Sequence, residues 1–294
     1  MSDHPLPLLA QRIFNQPLMI RPEKVEIIMG ALAQRLGITS LVVGGTPVAA
    51  ADLRAEAVAL TCGPRPERRS FDMFNCIAVI PIRGTLVKDL GLDPWSGMTG
   101  YDGLRVKFHQ SIADPKVKAV LFDIDSPGGE VAGCFDLVDE IYAVRGTKPI
   151  WAILSETAYS AAYAIASAAD RITVPRTGGA GSIGVAYLHV DLSEMLLKAG
   201  RKPTLIYSGV HKVDGNPFQP LPEAVRADIQ RDTDLIYDLF VATVARNRGL
   251  DPAAVRATEA RCLPAADALT VRLVDAVQSP AQAFAALQTQ VLRS

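Results

Sequence analysis

The sequence has little that would tie the chain to a metal, a disulfide frame, a membrane or a nucleic acid. Only four cysteines occur in 294 residues, Cys62, Cys76, Cys134 and Cys262, widely scattered and without a CxxC pair or a histidine at ligand spacing. That argues against a zinc site or a disulfide framework and reads them as small core residues of a reducing compartment. Neither sign of charge is in excess: 30 Lys and Arg against 31 Asp and Glu leave a net charge of -1. Nucleic acid is therefore not expected as a partner. No basic stretch leads into an apolar one at the N-terminus, so no signal peptide is read there. The one run of membrane length, 149–169, is Ala-rich and carries Ser155, Glu156 and Thr157. It reads as buried core, and the protein as soluble. Internal repeats and low-complexity tracts are also missing.

What is there changes character along the chain. Residues 1–70 read as a small helical N-terminal region, with a helix from Pro22 to a C-cap at Gly37 and a Pro- and Arg-rich linker over 62–71. From Cys76 on, continuous apolar strands alternate with helices: CIAVIPIRGTL, then YDGLRVKFHQSIADP, VKAVLFDIDSPGG, EVAGCFDLVDEIYAVRG and RITVP. Such alternation predicts an α/β fold with largely parallel strands covered by helices, over 75–280. A long helix is expected over 223–248 and a last short strand near 269–277. Residues 281–294 are taken as a C-terminal tail.

The chemistry concentrates in four stretches. In KPIWAILSETAYSAAYAIASAADR (148–171) a buried strand over 149–154 precedes an Ala- and Ser-rich helix running to Ala169, and Ser160 stands at its start. Free N–H groups and the helix dipole there favour a developing negative charge. Ser160 is either a nucleophile at a strand-to-helix turn or an ordinary N-cap, the commoner use of serine. DSPGG (125–129) closes an apolar strand; its paired glycines either expose backbone N–H groups as an oxyanion hole or only make a tight turn. GAGSIG (179–184) fits GxGxxG literally, but no acidic residue follows at the required distance and the next residues alternate like a strand. That excludes a dinucleotide site and leaves a glycine-rich loop whose one polar side chain is Ser182. Lys212 lies in YSGVHKVDGNPFQPL as a solvated charge or, if its pKa is lowered, a general base. His211 competes with it, while His109 and His189 read as structural. AYSAA around Ser160 lacks the glycines of GxSxG, and no SxxK occurs.

Taken in order, DSPGG (125–129), AYSAAYAIASAAD (158–170), GGAGSIGV (178–185) and SGVHKVDGNPFQPL (208–221) resemble the signal-peptide-peptidase-A-like serine peptidases, in particular their bacteriophage head-maturation (lambda protein C-like) branch. The resemblance covers roughly residues 75–280. It implies a Clp-protease/crotonase-type fold of ββα units and a Ser-Lys dyad working without metal or cofactor. Ser160 would be the nucleophile, Lys212 the general base and Ser182 the residue that orients the lysine. Gly128, Gly129 and the N–H of Ala161 would form the oxyanion hole. A general base of this kind requires an ionisation below about pH 9, against roughly 10.4 for a free lysine.

The expected partners are protein substrates, namely capsid, portal or scaffold proteins in head assembly, and other copies of the same chain in a homo-oligomer. The expected location is the bacterial cytoplasm or the prohead. Neither the N-terminal anchor of the membrane-bound relatives nor a fused scaffolding segment is expected. A soluble signal-peptide-degrading peptidase, a non-catalytic capsid-assembly protein and a crotonase-type acyl-CoA enzyme are the alternatives. CoA binding would single out the last.

Overall fold

A computed structural model describes residues 17–20, 42–43, 46–47, 69–92 and 97–293. The helix expected from Pro22 to Gly37, most of the 62–71 linker and Cys62 lie outside the described residues. The framework is a set of long, apolar, mostly parallel strands. β5 (Ile77–Val87) pairs in parallel with β7 (Ala119–Glu130), and β7 with β8 (Ile150–Tyr159). The far edge of β8 is shared by β9 (Arg171–Val174) and β10 (Gly179–Gly181), both parallel to it. β4 (Asp72–Phe74) runs antiparallel beside β5, and β6 (Met98–Gly100) runs parallel to its end.

Side chains of these strands alternate between two cores, as the pleat requires. Ala78, Ile80 and Ile82 of β5, Val120, Phe122 and Ile124 of β7, and Ile150, Ala152 and Leu154 of β8 face one core. Ile77, Ala119, Leu121, Trp151 and Ile153 face the other. Both faces are therefore covered, which is why the strands read as continuous hydrophobic runs. The larger core is roofed by α1 (Tyr101–Ala113), α2 (Cys134–Ala143), α3 (Ala161–Ser167) and the long α5 (Glu223–Arg248). The fold class is α/β as expected: β5, β6 and α1 make a ββα unit, and β7–α2 and β8–α3 follow it.

Several expectations are corrected. Residues 281–294 are no tail: α8 (Pro280–Arg293) places Ala283, Leu287 and Val291 on one stripe and buries it in the second core. The N-terminal region is not purely helical. β2 (Val42–Val43) and β3 (Thr46–Pro47) pair with each other, and β1 (Pro17–Ile20) joins the main sheet. β7 does not turn at Gly128 and Gly129 but continues through them to Glu130, and α2 starts only at Cys134. The strand expected over 269–277 shrinks to β13 (Ala276–Val277), because α7 (Ala265–Thr270) takes its first two residues and 271–275 form turns and bends. Cys76 is exposed, not core; its positive φ of 63° puts it in the tight turn between β4 and β5. Short elements complete the chain: β11 (Ala186–Tyr187), α4 (Ser193–Lys198), α6 (Pro252–Arg256) and β12 (Cys262–Pro264). No described helix is long and apolar enough to cross a membrane.

Candidate active site

Ser160 stands where β8 ends and α3 begins. It holds φ 55° and ψ −122°, a region that L-residues with a side chain rarely occupy. Its side chain makes no capping hydrogen bond, and the residue is only 1% exposed. The N-cap reading of the sequence is thereby overturned: an N-cap serine accepts an N–H of the first turn and has ordinary extended dihedrals. Strain of this kind costs about 1–3 kcal/mol and persists where the surroundings dictate it. The geometry is that of a sharp strand-to-helix turn. The sequence hid it because Ala158 and Ala162 stand where such turns commonly carry glycine.

The surroundings that hold the turn are small and dry. α3 is buried along its whole length, and the residues Ala161, Ala162, Ala164 and Ala166 let neighbouring elements come close. Its C-terminal end is clamped by Arg145, which donates to the carbonyls of Ser167 (3.0 Å), Ala168 (2.8 Å) and Ala169. The same guanidinium donates to the carbonyl of Asn247 in α5 at 2.9 Å, and Asn247 donates to Ser167 Oγ at 2.9 Å. A cation on the carbonyl end complements the helix dipole and leaves the N-terminal end pointing at Ser160. Arg145 carries no motif signal, so reading the sequence passed over it. Tyr163 adds a further tie, its hydroxyl donating to the carbonyl of Leu273 at 2.8 Å.

Ser182 is brought alongside. β8 and β10 pair in parallel with Tyr159 opposite Gly181, and the N–H of Ser160 donates to the carbonyl of Gly181 at 2.8 Å. Ser182, the next residue, is 6% exposed, also has a positive φ (53°), and donates its N–H to the carbonyl of Arg261 at 2.9 Å. The glycine pair lies across the gap on β7. The Ser126 hydroxyl donates to the Gly84 carbonyl at 2.6 Å and accepts the Gly128 N–H at 3.2 Å. This engages the Gly128 donor. Gly129 fits closely over β5: a Cβ there would lie 1.9 Å from the Leu86 carbonyl oxygen. Ala161 is the first residue of α3, so its N–H has no partner within the helix.

Lys212 sits apart from this group in character. It lies in an exposed turn, where its N–H donates to the Gly209 carbonyl at 3.0 Å. Among the described residues no hydrogen bond joins Lys212 Nζ, Ser160 Oγ and Ser182 Oγ. His211 is bonded to Asp214 at 2.7 Å in the same turn, and His109 to Glu140 at 2.8 Å. His189 follows β11, and both its ring nitrogens are buried with no hydrogen-bond partner among the described residues. Cys134, whose Sγ lies 3.8 Å from the Ala161 carbonyl, is no rival nucleophile: burial pushes its thiol up to about 12, so it stays protonated. Among the described residues no cluster of His, Cys, Asp and Glu is arranged to hold a metal ion.

Comparison with known proteins bears on this arrangement. Residues 143–292 match the family described as Peptidase family S49. The head-tail preconnector protein GP5 of Enterobacteria phage P21 is 42% identical over 279 residues, 94% of this chain and 56% of that protein. The capsid assembly protease C of Escherichia phage lambda is 41% identical over 289 residues, 96% of this chain and 65% of that protein. The chain thus spans less than two thirds of the length of either relative. An enoyl-CoA hydratase/isomerase family member of known structure aligns with a TM-score of 0.44 and 17% identity, over 78% of this chain and 77% of that one.

Proposed function

The chain belongs to peptidase family S49, and on that premise we propose that it is a serine endopeptidase with Ser160 as nucleophile and Lys212 as general base. The observation that carries the reading is the strained, uncapped, buried Ser160 at the β8–α3 turn. Strain at such a position is commonly part of a mechanism, since it presents one side-chain atom in a fixed direction. In the proposed reaction a neutral Lys212 Nζ takes the proton of Ser160 Oγ as that oxygen bonds to a peptide carbonyl carbon. The negative charge moves onto the carbonyl oxygen, facing the N–H groups of Gly129 and Ala161, with Gly128 beside them. The C–N bond then breaks, the lysine returns the proton to the leaving amine, and water hydrolyses the acyl-enzyme. Ser182 orients the lysine.

The substrates we propose are capsid, portal or scaffold proteins during phage head assembly, in the host cytoplasm or the prohead. The names of the two phage relatives support this choice. The segment carrying Lys212 exposes Ile206 (96%) and Val210 (81%) to solvent. Large apolar side chains so exposed favour a surface that another chain covers. We therefore propose that assembly into a homo-oligomer packs this turn and carries Lys212 to Ser160.

The test is cleavage of an unfolded protein by wild type, Ser160→Ala, Lys212→Ala and Lys212→Arg, with oligomeric state measured for each. Loss of cleavage in all three variants with assembly intact is expected. Arginine does not rescue, because it keeps its proton at any working pH. Cleavage by Lys212→Ala at the wild-type rate would remove the lysine from the mechanism. The exposure of Lys212 favours one competing reading, a capsid-assembly protein without activity. A serine-directed fluorophosphonate separates the two, because only the peptidase is labelled at Ser160.

A further inference from the structure

The edge of β7 changes partner beside Ser160. In its lower part β7 pairs with β8, the last matched residues being Ser126 and Ala158. Two residues further along that register, residue 160 would lie opposite Gly128. But β8 leaves the sheet at Ser160 to become α3, and Ile20 of β1 takes the vacated place. β1 runs antiparallel along β7 with Ile20 opposite Gly128, Met19 opposite Gly129 and Leu18 opposite Glu130. The other edge of β7 is filled at the same residues by β5, Thr85 and Leu86 lying opposite Gly128 and Gly129. β1 therefore occupies the β8 side. Its own second edge pairs with β11, Leu18 opposite Ala186 and Pro17 opposite Tyr187. β11 follows Ser182 along the chain.

The gap above Ser160 is thus walled by the glycine pair on one side and by the strand after Ser182 on the other. It is filled by an extended segment remote from both in sequence. Pairing on both edges through main-chain groups is how a sheet accepts a peptide with little regard to its side chains. We propose that this gap is the peptide-binding slot and that residues 17–20 are a resident strand, a competitor within the same chain that a substrate strand displaces. The inference rests on the peptidase reading of Ser160.

The resident is built to be displaceable. β1 is four residues long, and Pro17 has no N–H to contribute to a ladder. A tethered strand competes with an effective concentration on the order of millimolar. Short peptides lose that competition, whereas a long extended segment that pairs beyond both ends of β1 wins it. The substrate class is accordingly an unfolded or extended stretch of polypeptide, and a folded surface is excluded.

The experiment measures binding of fluorescent β-casein, a natively unfolded chain, to the full-length protein carrying Ser160→Ala. Two further changes bias the resident strand in opposite directions. Met19→Pro removes one ladder donor and frees the slot. Pro17→Cys with Tyr187→Cys, oxidised, ties β1 to β11 across a directly opposed pair. Casein is expected to bind Met19→Pro roughly three- to tenfold more tightly than the parent, the equivalent of one lost hydrogen bond. The cross-linked protein is expected not to bind it until the disulfide is reduced. Equal affinity in all three proteins overturns the inference, as does failure of casein to bind even Met19→Pro, or failure of the cysteine pair to oxidise. The peptidase reading fails separately if Met19→Pro with Ser160 restored binds casein and leaves it uncut.

Discussion

The N–H of Ser160 donates to the carbonyl of Gly181 at 2.8 Å, and this single bond sets two serines of positive φ side by side. Ser182 is the residue after the acceptor, so the parallel β8–β10 register, Tyr159 opposite Gly181, fixes the separation of both hydroxyl-bearing turns. Neither serine is in a comfortable conformation, and both are almost fully buried. The protein maintains two polar residues of positive φ in a buried place where glycine would serve a purely structural turn better.

The first prediction concerns that strain. Ser160→Gly relieves a φ penalty of about 1–3 kcal/mol and gives back roughly 0.4–1 kcal/mol through the greater freedom of the unfolded chain. A net gain of about 1 kcal/mol is expected, seen as a rise of roughly 2–4 °C in Tm, together with loss of hydrolysis. Ser160→Ala keeps the Cβ and hence the strain, so its Tm should stay near wild type while activity is lost. Thermal denaturation of the three proteins checks this. A Ser160→Gly protein less stable than Ser160→Ala would mean that the positive φ carries no strain, and a Ser160→Ala protein well below wild type would mean that the hydroxyl is structural.

The second prediction separates close fit from conformation among the glycines. At Gly129 a Cβ would meet the Leu86 backbone, with its carbonyl oxygen at 1.9 Å, so Gly129→Ala forces β5 and β7 apart. A cost of about 1–3 kcal/mol is expected, with loss of hydrolysis because the Gly129 N–H moves with its strand. Gly146 is the control: its φ is 82°, yet nothing lies within 4 Å of a Cβ placed there. Gly146→Ala should lower Tm modestly and leave cleavage unchanged. If both variants lose activity alike, the effect at Gly129 is general destabilisation and not displacement of a donor.

Which of these features could be read from the sequence depends on whether their cause is local. The β5, β7 and β8 cores were legible because apolar runs buried on both faces are a local pattern. Helix α5 was legible because its periodicity is long and Gly249, with φ 61°, ends it. α8 carried a readable signal too: Ala283, Leu287 and Val291 stand four apart. Its position at the end of the sequence, past the last strand, is what makes the stretch read as a tail. Ser160 was legible as a candidate, but its positive φ was not, since Ala158 and Ala162 replace the glycines that would announce the turn. The continuation of β7 through Gly128 and Gly129 depends on β5 and β1 flanking it there. The seat of β1 depends on a gap made by β8 far along the chain. No window of sequence around residues 17–20 contains that information.

The third prediction is a pH dependence next to the same slot. Burial alone would raise the Asp102 carboxyl, but N–H groups of Leu90, Gly103 and Gly91 outweigh it and hold the group below its usual range. The bonds from Leu90 and Gly91 are 3.0 and 2.9 Å long and pin the loop after β5 to the start of α1. Lys88 in that loop donates its N–H to Glu130 at 2.7 Å, and Glu130 is the residue of β7 opposite Leu18. A depressed folded-state pKa stabilises the protein above the unfolded value, near 3.9, and the contribution disappears as pH falls through the folded value. Between pH 6 and pH 3 the wild type should therefore lose more Tm than Asp102→Asn, which has no charge to lose. The two curves converge at the acid end. The amides of Leu90 and Gly91 should gain hydrogen exchange over the same interval, because their acceptor is being protonated. Parallel Tm losses in the two proteins, or unchanged protection at those amides, would assign the acid sensitivity to carboxylates elsewhere and leave the wall of the slot unaffected by pH.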